Sequence, residues 1–290
     1  MNRKKLLLFL LFAFAPVMGA GLSIHFAPEG MAGAIVKGLL TSLCMFFPLI
    51  AVVLTQVICK EPVLQDIGIS LRLNRWWLIG WLLIPVLAFA ILGVSLLMPG
   101  AHWSPDNPMV QQAMAQMPEG IGLGGFIALT TLSGMFAGIT LNALFAFGEE
   151  VAWRGWLPKL FEGKSLPVQS LIIGTIWGLW HFPLILNGHN YPQHPVAGVF
   201  MMVLLCILLT PLLLYFRQLS GSVIVPAILH GTFNGLVGMS NLLVQPANDL
   251  LIGGPGLAGM LVLMSADLVI LALYARKNRF SNFSLGRSRS

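Results

Sequence analysis

Residues 147–156 read Phe-Gly-Glu-Glu-Val-Ala-Trp-Arg-Gly-Trp, with two adjacent carboxylates and a guanidinium directly after an uncharged run that begins at position 120. A charged side chain at the centre of a bilayer costs about 2.5–3.5 kcal/mol on insertion scales, so Glu149, Glu150 and Arg154 need partners or a water-filled cavity. The stretch therefore predicts a working site inside a membrane. The alternative is an ordinary cytoplasmic helix end whose charged side chains reach water.

The composition around this stretch is that of a membrane protein. Hydrophobic residues make up 57% of the 290 positions and charged residues 9%, and the mean hydropathy is +0.86, which excludes a soluble globular domain. Several apolar runs reach the roughly 20 residues that a transmembrane helix needs. Because these runs lack alternation of period two, they favour a helical bundle over a barrel. We predict one all-α integral membrane domain over residues 1–290 with about eight transmembrane helices.

The positions of the basic residues indicate topology, and they argue against nucleic acid as the reason for the net charge of +6. Fifteen of the 16 Lys and Arg residues lie at every second connection between apolar segments or at the termini, and only Lys37 does not. The set predicted to be cytoplasmic is Arg3, Lys4, Lys5, Lys60, Arg72, Arg75, Arg154, Lys159, Lys164, Arg217, Arg276, Lys277, Arg279, Arg287 and Arg289. The opposite loops contain Glu29, Asp106, Glu119 and Asp249 and no basic residue. The positive-inside rule then predicts both termini in the cytoplasm and eight crossings of the cell (inner) membrane.

Hydropathy and turn residues set the predicted segments. The crossings cover approximately residues 1–26, 31–59, 77–98, 129–160, 168–186, 196–216, 223–244 and 256–275, and the fourth could begin as early as position 120. Residues 1–20 also resemble a cleavable signal peptide, although we favour an uncleaved first helix. Residues 60–77 suit either an amphipathic interfacial helix or re-entrant loop, or a plain connection. We expect a short outer helix at 109–117 and a disordered basic tail at 276–290 beside anionic lipid headgroups.

The three cysteines, Cys44, Cys59 and Cys206, lie within apolar segments. Their scattered positions match neither a disulfide framework nor a metal-binding spacing, so we interpret them as small core residues.

Polar side chains recur inside the predicted membrane helices. They are Glu149, Glu150, Arg154, His181, His230, Asn234 and Asp267. Glu150 and Arg154 are four apart and can pair on one helix face, while Glu149 points about 100° away and stays free. His230 and Asn234 share a face for the same reason. Any one His or Asn could simply join helices by hydrogen bonding, but each buried polar group in the set needs its own partner.

This set suits hydrolysis of an amide bond. A carboxylate beside an imidazole can hold and deprotonate a water molecule, and His or Asn donors can stabilise an oxyanion by about 3 kcal/mol each. No Ser or Cys lies beside a His at nucleophile spacing, and no His-Glu-x-x-His sequence occurs, so water is the expected nucleophile. His189 and His194, by contrast, are expected to be polar groups of an outer loop.

Three short motifs, in this order, resemble those of the CPBP family, the CAAX prenyl protease type II and bacteriocin-processing intramembrane proteases, also called ABI. Glu-Glu-x-x-x-Arg is present as Glu149, Glu150 and Arg154. Phe-x-x-x-His ends in His181 but has Trp177 in place of the Phe, and His-x-x-x-Asn is His230 with Asn234. The resemblance is strong over about residues 120–244 and extends to the rest only through topology.

The resemblance implies an intramembrane endopeptidase acting on a peptide or protein whose scissile bond reaches the cavity from the cytoplasmic side. Glu149 and His181 would activate water, His230 and Asn234 would stabilise the oxyanion, and Glu150 and Arg154 would support them. A divalent metal such as zinc stays an alternative, with Glu149, His181 and His230 as candidate ligands. The competing hypotheses are an inactive membrane scaffold or immunity protein and a proton-coupled transporter. The absence of an internal repeat argues against the transporter.

Overall fold

The computed structural model describes residues 2–287, with side chains for residues 2–276, and the predicted all-α bundle is confirmed. The helices are α1 (Arg3–His25), α2 (Gly30–Cys44), α3 (Phe47–Ile58), α4 (Arg75–Ser95), α5 (Pro108–Met114), α6 (Leu123–Ile139), α7 (Leu141–Glu150), α8 (Leu157–Leu160), α9 (Leu166–Trp180), α10 (Phe182–Ile185), α11 (Pro195–Ser220), α12 (Ile224–Leu236), α13 (Met239–Leu243) and α14 (Leu257–Arg287). A π-helical turn, Val151–Trp156, joins α7 to α8. Two short strands, β1 (His102–Trp103) and β2 (Val244–Gln245), pair antiparallel between the loops.

The number of helices that can cross a bilayer is smaller than the predicted eight. Within the described residues, five helices are long and apolar enough to span, or six if the bent pair formed by Leu123–Ile139 and Leu141–Leu160 is one span. The remaining two predicted crossings contain α9, with 15 residues, and α12, with 13. At 1.5 Å per residue these helices are about 20–22 Å long, short of a hydrocarbon core of about 30 Å. The count of eight therefore stays a prediction.

Two predicted helices are broken where the hydropathy is continuous. The second predicted crossing divides into α2 and α3, with Pro48 in the first turn of α3. The fourth begins at Leu123 and bends by 47° after Ile139, where Thr140 leaves helical geometry. The Thr140 hydroxyl donates to the Phe136 carbonyl at 2.7 Å, a local bond of the kind that bends helices. Hydropathy did not reveal either break because both sides of each break are apolar.

The predicted connections differ in outcome. Residues 60–74 form turns and extended chain with no helix, so the interfacial helix is wrong, and the re-entrant loop and the plain connection stay predictions. This loop is held by Arg217, whose guanidinium donates to the Ile67 carbonyl at 3.0 Å, and by the Val223 amide, which donates to the Gly68 carbonyl at 2.8 Å. The expected short helix is confirmed as α5, where the Asn107 side chain accepts hydrogen bonds from the first-turn amides, and its outer location stays a prediction.

The two ends of the chain are helical. α1 runs through position 20 without interruption, and Phe9 packs against Trp153 and Trp156 below the charged stretch. α14 continues to Arg287, so the prediction of a disordered tail is wrong for residues 276–287, where no proline stops the helix. Residues 288–290 lie outside the described part of the chain.

Glycines set the distance between the helices that carry the predicted site. A methyl group at Gly174 or Gly178 of α9 would collide with the α11 backbone. On the other side of the bundle, Gly134 of α6 and Gly235 of α12 meet backbone to backbone. Small residues at four-residue spacing allow membrane helices to approach this closely, so α9 and α12 are held by direct backbone contact.

Candidate active site

The predicted site residues meet at a cavity of about 290 Å³ enclosed by α2, α7, α9, α11 and α12. Glu149, His181, His230 and Asn234 all line this cavity. Glu150 and Arg154 are fully buried behind its wall. Asp267, on α14, is buried but does not line the cavity. The structure thus brings four of the six predicted residues to one space and buries the other two next to it.

A change of helix type positions the two carboxylates. α7 ends at Glu150, and the chain continues as the π-helical turn Val151–Trp156 before α8. Insertions of this kind re-aim side chains and are common at functional sites. Gly148 packs directly against the segment between α2 and α3, since a methyl group at this position would lie 2.5 Å from the Met45 carbonyl oxygen. Glu149 is thereby brought against the α2 side of the cavity.

Glu149 is held by two indoles. Its Oε2 accepts hydrogen bonds from Nε1 of Trp177 at 2.6 Å and from Nε1 of Trp153 at 3.2 Å. Its Oε1 has no hydrogen-bond partner among the described residues, while the residue lines the cavity. One carboxylate oxygen is therefore held and the other is available to a ligand or to water.

Glu150 joins a cation to an imidazole. Its Oε1 accepts from Arg154 at 2.9 Å and from Nδ1 of His230, also at 2.9 Å. Arg154 in turn donates to the Thr210 hydroxyl at 3.1 Å on α11 and stacks 4.1 Å above the Trp177 ring. These hydrogen bonds confirm the predicted pairing of Glu150 with Arg154. They also join His230 to Glu150, a contact that the spacing of residues could not show.

His181 and Asn234 face the same cavity with different support. His181 follows the last residue of α9, and its Nδ1 lies 2.8 Å from the Trp177 carbonyl. Since a carbonyl can only accept, Nδ1 carries the proton, and a neutral ring then has an acceptor at Nε2. Asn234 is exposed, and its amide has no hydrogen-bond partner among the described residues. Both side chains keep a group free for a ligand.

The loop between α10 and α11 forms part of the cavity wall. His189 and Asn190 line the cavity, and Asn190 has a left-handed backbone with φ of 60°. Burial lowers the pKa of the His189 imidazole, which favours a neutral ring. His194 instead pairs with Asp249 at 2.6 Å, away from the cavity. The expectation that both were ordinary loop groups therefore misses His189, which no sequence motif distinguished from His194.

The zinc interpretation finds no support in this arrangement. Within the described residues, no group of three or more His, Cys, Asp or Glu side chains is placed to hold a metal ion. Glu149, His181 and His230 share the cavity but are not part of any such group. These three residues therefore do not form an assembled ligand set.

Sequence reasoning also missed the tryptophans. The sequence indicates Trp177 as a packing neighbour of His181 and as a departure from the expected Phe, but the residue also contacts Glu149, Arg154 and His230. Its spacing of four from His181 was a signal for packing. Its bond to Glu149 crosses between helices and left no signal in the sequence.

Comparison with known proteins agrees with this geometry. Residues 131–236 match the family model described as type II CAAX prenyl endopeptidase Rce1-like. The CAAX prenyl protease 2 of Methanococcus maripaludis is 37% identical over 79 residues. Both matches support the resemblance to the CPBP family over this part of the chain.

The matched region contains every predicted site residue. All three motifs, from Glu149 to Asn234, lie within residues 131–236. The alignment with the archaeal relative covers 24% of this chain and 29% of that protein. The apolar helices, together with the match to a CAAX prenyl endopeptidase model, make this a multi-pass integral membrane protein.

Proposed function

We propose that this protein is an intramembrane endopeptidase that hydrolyses a peptide bond with a water molecule activated by Glu149. The observation that carries the proposal is the convergence of Glu149, His181, His230 and Asn234 on one cavity from three helical segments. The space is large enough for several water molecules, and polar groups line it where they can hold them. The match to the family model supports the same reaction class.

The proposed reaction begins at the free oxygen of Glu149. Oε1 accepts a proton from a water molecule that also donates to Nε2 of His181, and the water oxygen attacks the carbonyl carbon. The developing oxyanion accepts hydrogen bonds from the Asn234 amide and from the His230 ring. Glu149 then gives its proton to the leaving nitrogen, the carbon–nitrogen bond breaks, and a carboxylic acid and an amine result.

Glu150 and Arg154 act through His230 in this scheme. Glu150 accepts from Nδ1 of His230, so the ring is oriented with Nε2 toward the cavity side. Arg154 balances the Glu150 charge, and Thr210 holds Arg154 in place. Both residues therefore position the oxyanion donor without touching the substrate.

The cavity wall suggests the kind of substrate. Met202, Leu205 and Leu209 of α11 line it opposite the polar groups, which suits an apolar side chain next to the scissile bond. The printed name of the archaeal relative is that of a CAAX prenyl protease, so a prenylated CAAX peptide is one substrate to test. A membrane-anchored peptide with apolar flanks is the broader class that we propose.

The decisive experiment replaces Glu149 by Gln in purified protein and measures cleavage of a peptide library that includes prenylated peptides. Loss of the base should lower the rate at least ~100-fold. Glu162→Gln is the matched control, because Glu162 is an exposed carboxylate outside the cavity. This variant should cleave as the wild type does. Full cleavage by Glu149→Gln would refute Glu149 as the base, and no cleavage by the wild type would favour the inactive scaffold.

A further inference from the structure

Trp177 is the side chain around which the charged groups of the site are arranged. Its indole N–H donates to Oε2 of Glu149 at 2.6 Å, and the face of its ring carries the Arg154 guanidinium at 4.1 Å. Its ring also lies edge-on to His230, with centroids 5.3 Å apart. The residue is only 2% exposed, so these contacts are made in a low-dielectric interior where each is strong.

The contact with Glu149 decides which carboxylate oxygen faces the substrate. With Oε2 held by Trp177 and, at longer distance, by Trp153, rotation of the carboxylate is restricted. Oε1 is then the oxygen presented to the cavity. A phenylalanine at position 177 could supply the ring for Arg154 and His230, but it has no N–H to donate.

The contact with Arg154 reaches the second carboxylate. A guanidinium over an indole face is stabilised by the ring electrons, most strongly when both groups are desolvated. Arg154 is held there between Trp177, Glu150 and Thr210. The Trp177 side chain thus contacts Glu149 directly and Arg154 through its ring face. Arg154 in turn bonds Glu150, which bonds His230.

We propose that Trp177 is a positioning residue that orients Glu149 through its indole N–H, a role that a phenylalanine at this position could not perform. The inference rests on the proposed function, in which Glu149 is the base. The hydrogen bond acts on the base and not on the substrate. Its loss should therefore lower kcat and leave KM unchanged.

The test is Trp177→Phe, which removes the N–H and keeps an aromatic ring. Loss of one hydrogen bond to a charged group corresponds to a fall in kcat of about 10- to 100-fold, with KM within about twofold of the wild type. Trp153→Phe removes the longer bond and should have a smaller effect. Trp81→Phe is the matched control, since Trp81 donates its indole N–H to the Met135 carbonyl at 3.4 Å away from the cavity.

A spectroscopic measurement separates this proposal from the proposed function. Infrared difference spectra between the wild type and Glu149→Gln assign the carboxyl band of Glu149, and this band should move in Trp177→Phe and stay in place in Trp81→Phe. An unmoved band, or a moved band with unchanged kcat, would overturn the role of Trp177. If cleavage does not depend on Glu149 at all, the proposed function fails, while the band still reports whether the indole bonds the carboxylate.

Discussion

At the scale of single residues, the buried charges of the site are paired, although Oε2 of Glu150 and Nε of Arg154 have no hydrogen-bond partner among the described residues. Glu150 and Arg154 both have fully buried side chains, yet they form an ion pair at 2.9 Å that His230 and Thr210 extend. Taking two charges out of water is costly, and their attraction offsets this cost only when the geometry is good and further hydrogen bonds are present. The pair therefore contributes orientation for His230 more than stability.

Removing one member of that pair should be far more harmful than removing an exposed cation. Arg154→Met leaves the Glu150 carboxylate buried without its cation, and we expect a loss of about 3–5 kcal/mol in the free energy of unfolding. Lys159→Met, one turn further on, removes an exposed amine that donates to the Gln65 carbonyl and should cost about 1 kcal/mol or less. Thermal unfolding in detergent compares the two variants with the wild type. Equal unfolding midpoints for the two variants would contradict a buried ion pair between Glu150 and Arg154.

At the scale of elements, the site depends on how closely short helices approach longer ones. α9 carries Trp177 and ends just before His181, and it lies against the backbone of α11 at Gly174 and Gly178. The wall of the cavity formed by α11 faces Glu149 as a result. The spacing of α9 from α11 therefore sets the width of the cavity.

Gly178→Ala should widen that spacing. Overpacking of this kind costs about 1–3 kcal/mol, and the displaced α9 would carry Trp177 and His181 away from Glu149 and lower kcat. Gly93→Ala is the control, because a methyl group at Gly93 of α4 would meet nothing within 4 Å. Gly93→Ala should be neutral or slightly stabilising. Stability and cleavage measured on both variants test the contact, and a Gly178→Ala protein as stable and active as Gly93→Ala would count against it.

At the scale of the whole molecule, the cavity and the basic loops lie toward opposite ends of the bundle. The cavity reaches the loop between α10 and α11, which the charge pattern places outside, and no residue of loop 60–74 lines it. On the basic side, Lys5 pairs with Glu61, and Lys159 reaches the loop that follows α3. Together with the predicted orientation, this lining predicts entry of substrate from the outer side or from the lipid, and the cytoplasmic entry expected from the sequence stays the alternative.

Labelling of introduced cysteines tests this orientation. In a protein whose three natural cysteines are replaced, Asn190→Cys should react with a membrane-impermeant thiol reagent added to intact cells, because Asn190 is exposed at the cavity rim. Lys159→Cys should react only after the membrane is opened. Labelling of both from outside, or of Lys159→Cys alone, would show that the positive-inside assignment is wrong for this protein.

The amino-acid sequence by itself determined the helical membrane class, the approximate segments and the identity of the candidate site residues. It could do so because the cost of burying charge and the length of apolar runs are properties of the chain alone. Glu149, Glu150 and Arg154 stood out within an uncharged run, and His230 with Asn234 shared one helix face by spacing.

Only the tertiary structure decided the helix breaks at Thr140 and before Pro48, the shortness of α9 and α12, and the partners of each polar group. It paired His230 with Glu150 and brought the Trp177 indole to Glu149. Such bonds depend on the depth and rotation of one helix against another. Glycine contacts between backbones set these quantities, and the periodicity of a single helix does not encode them.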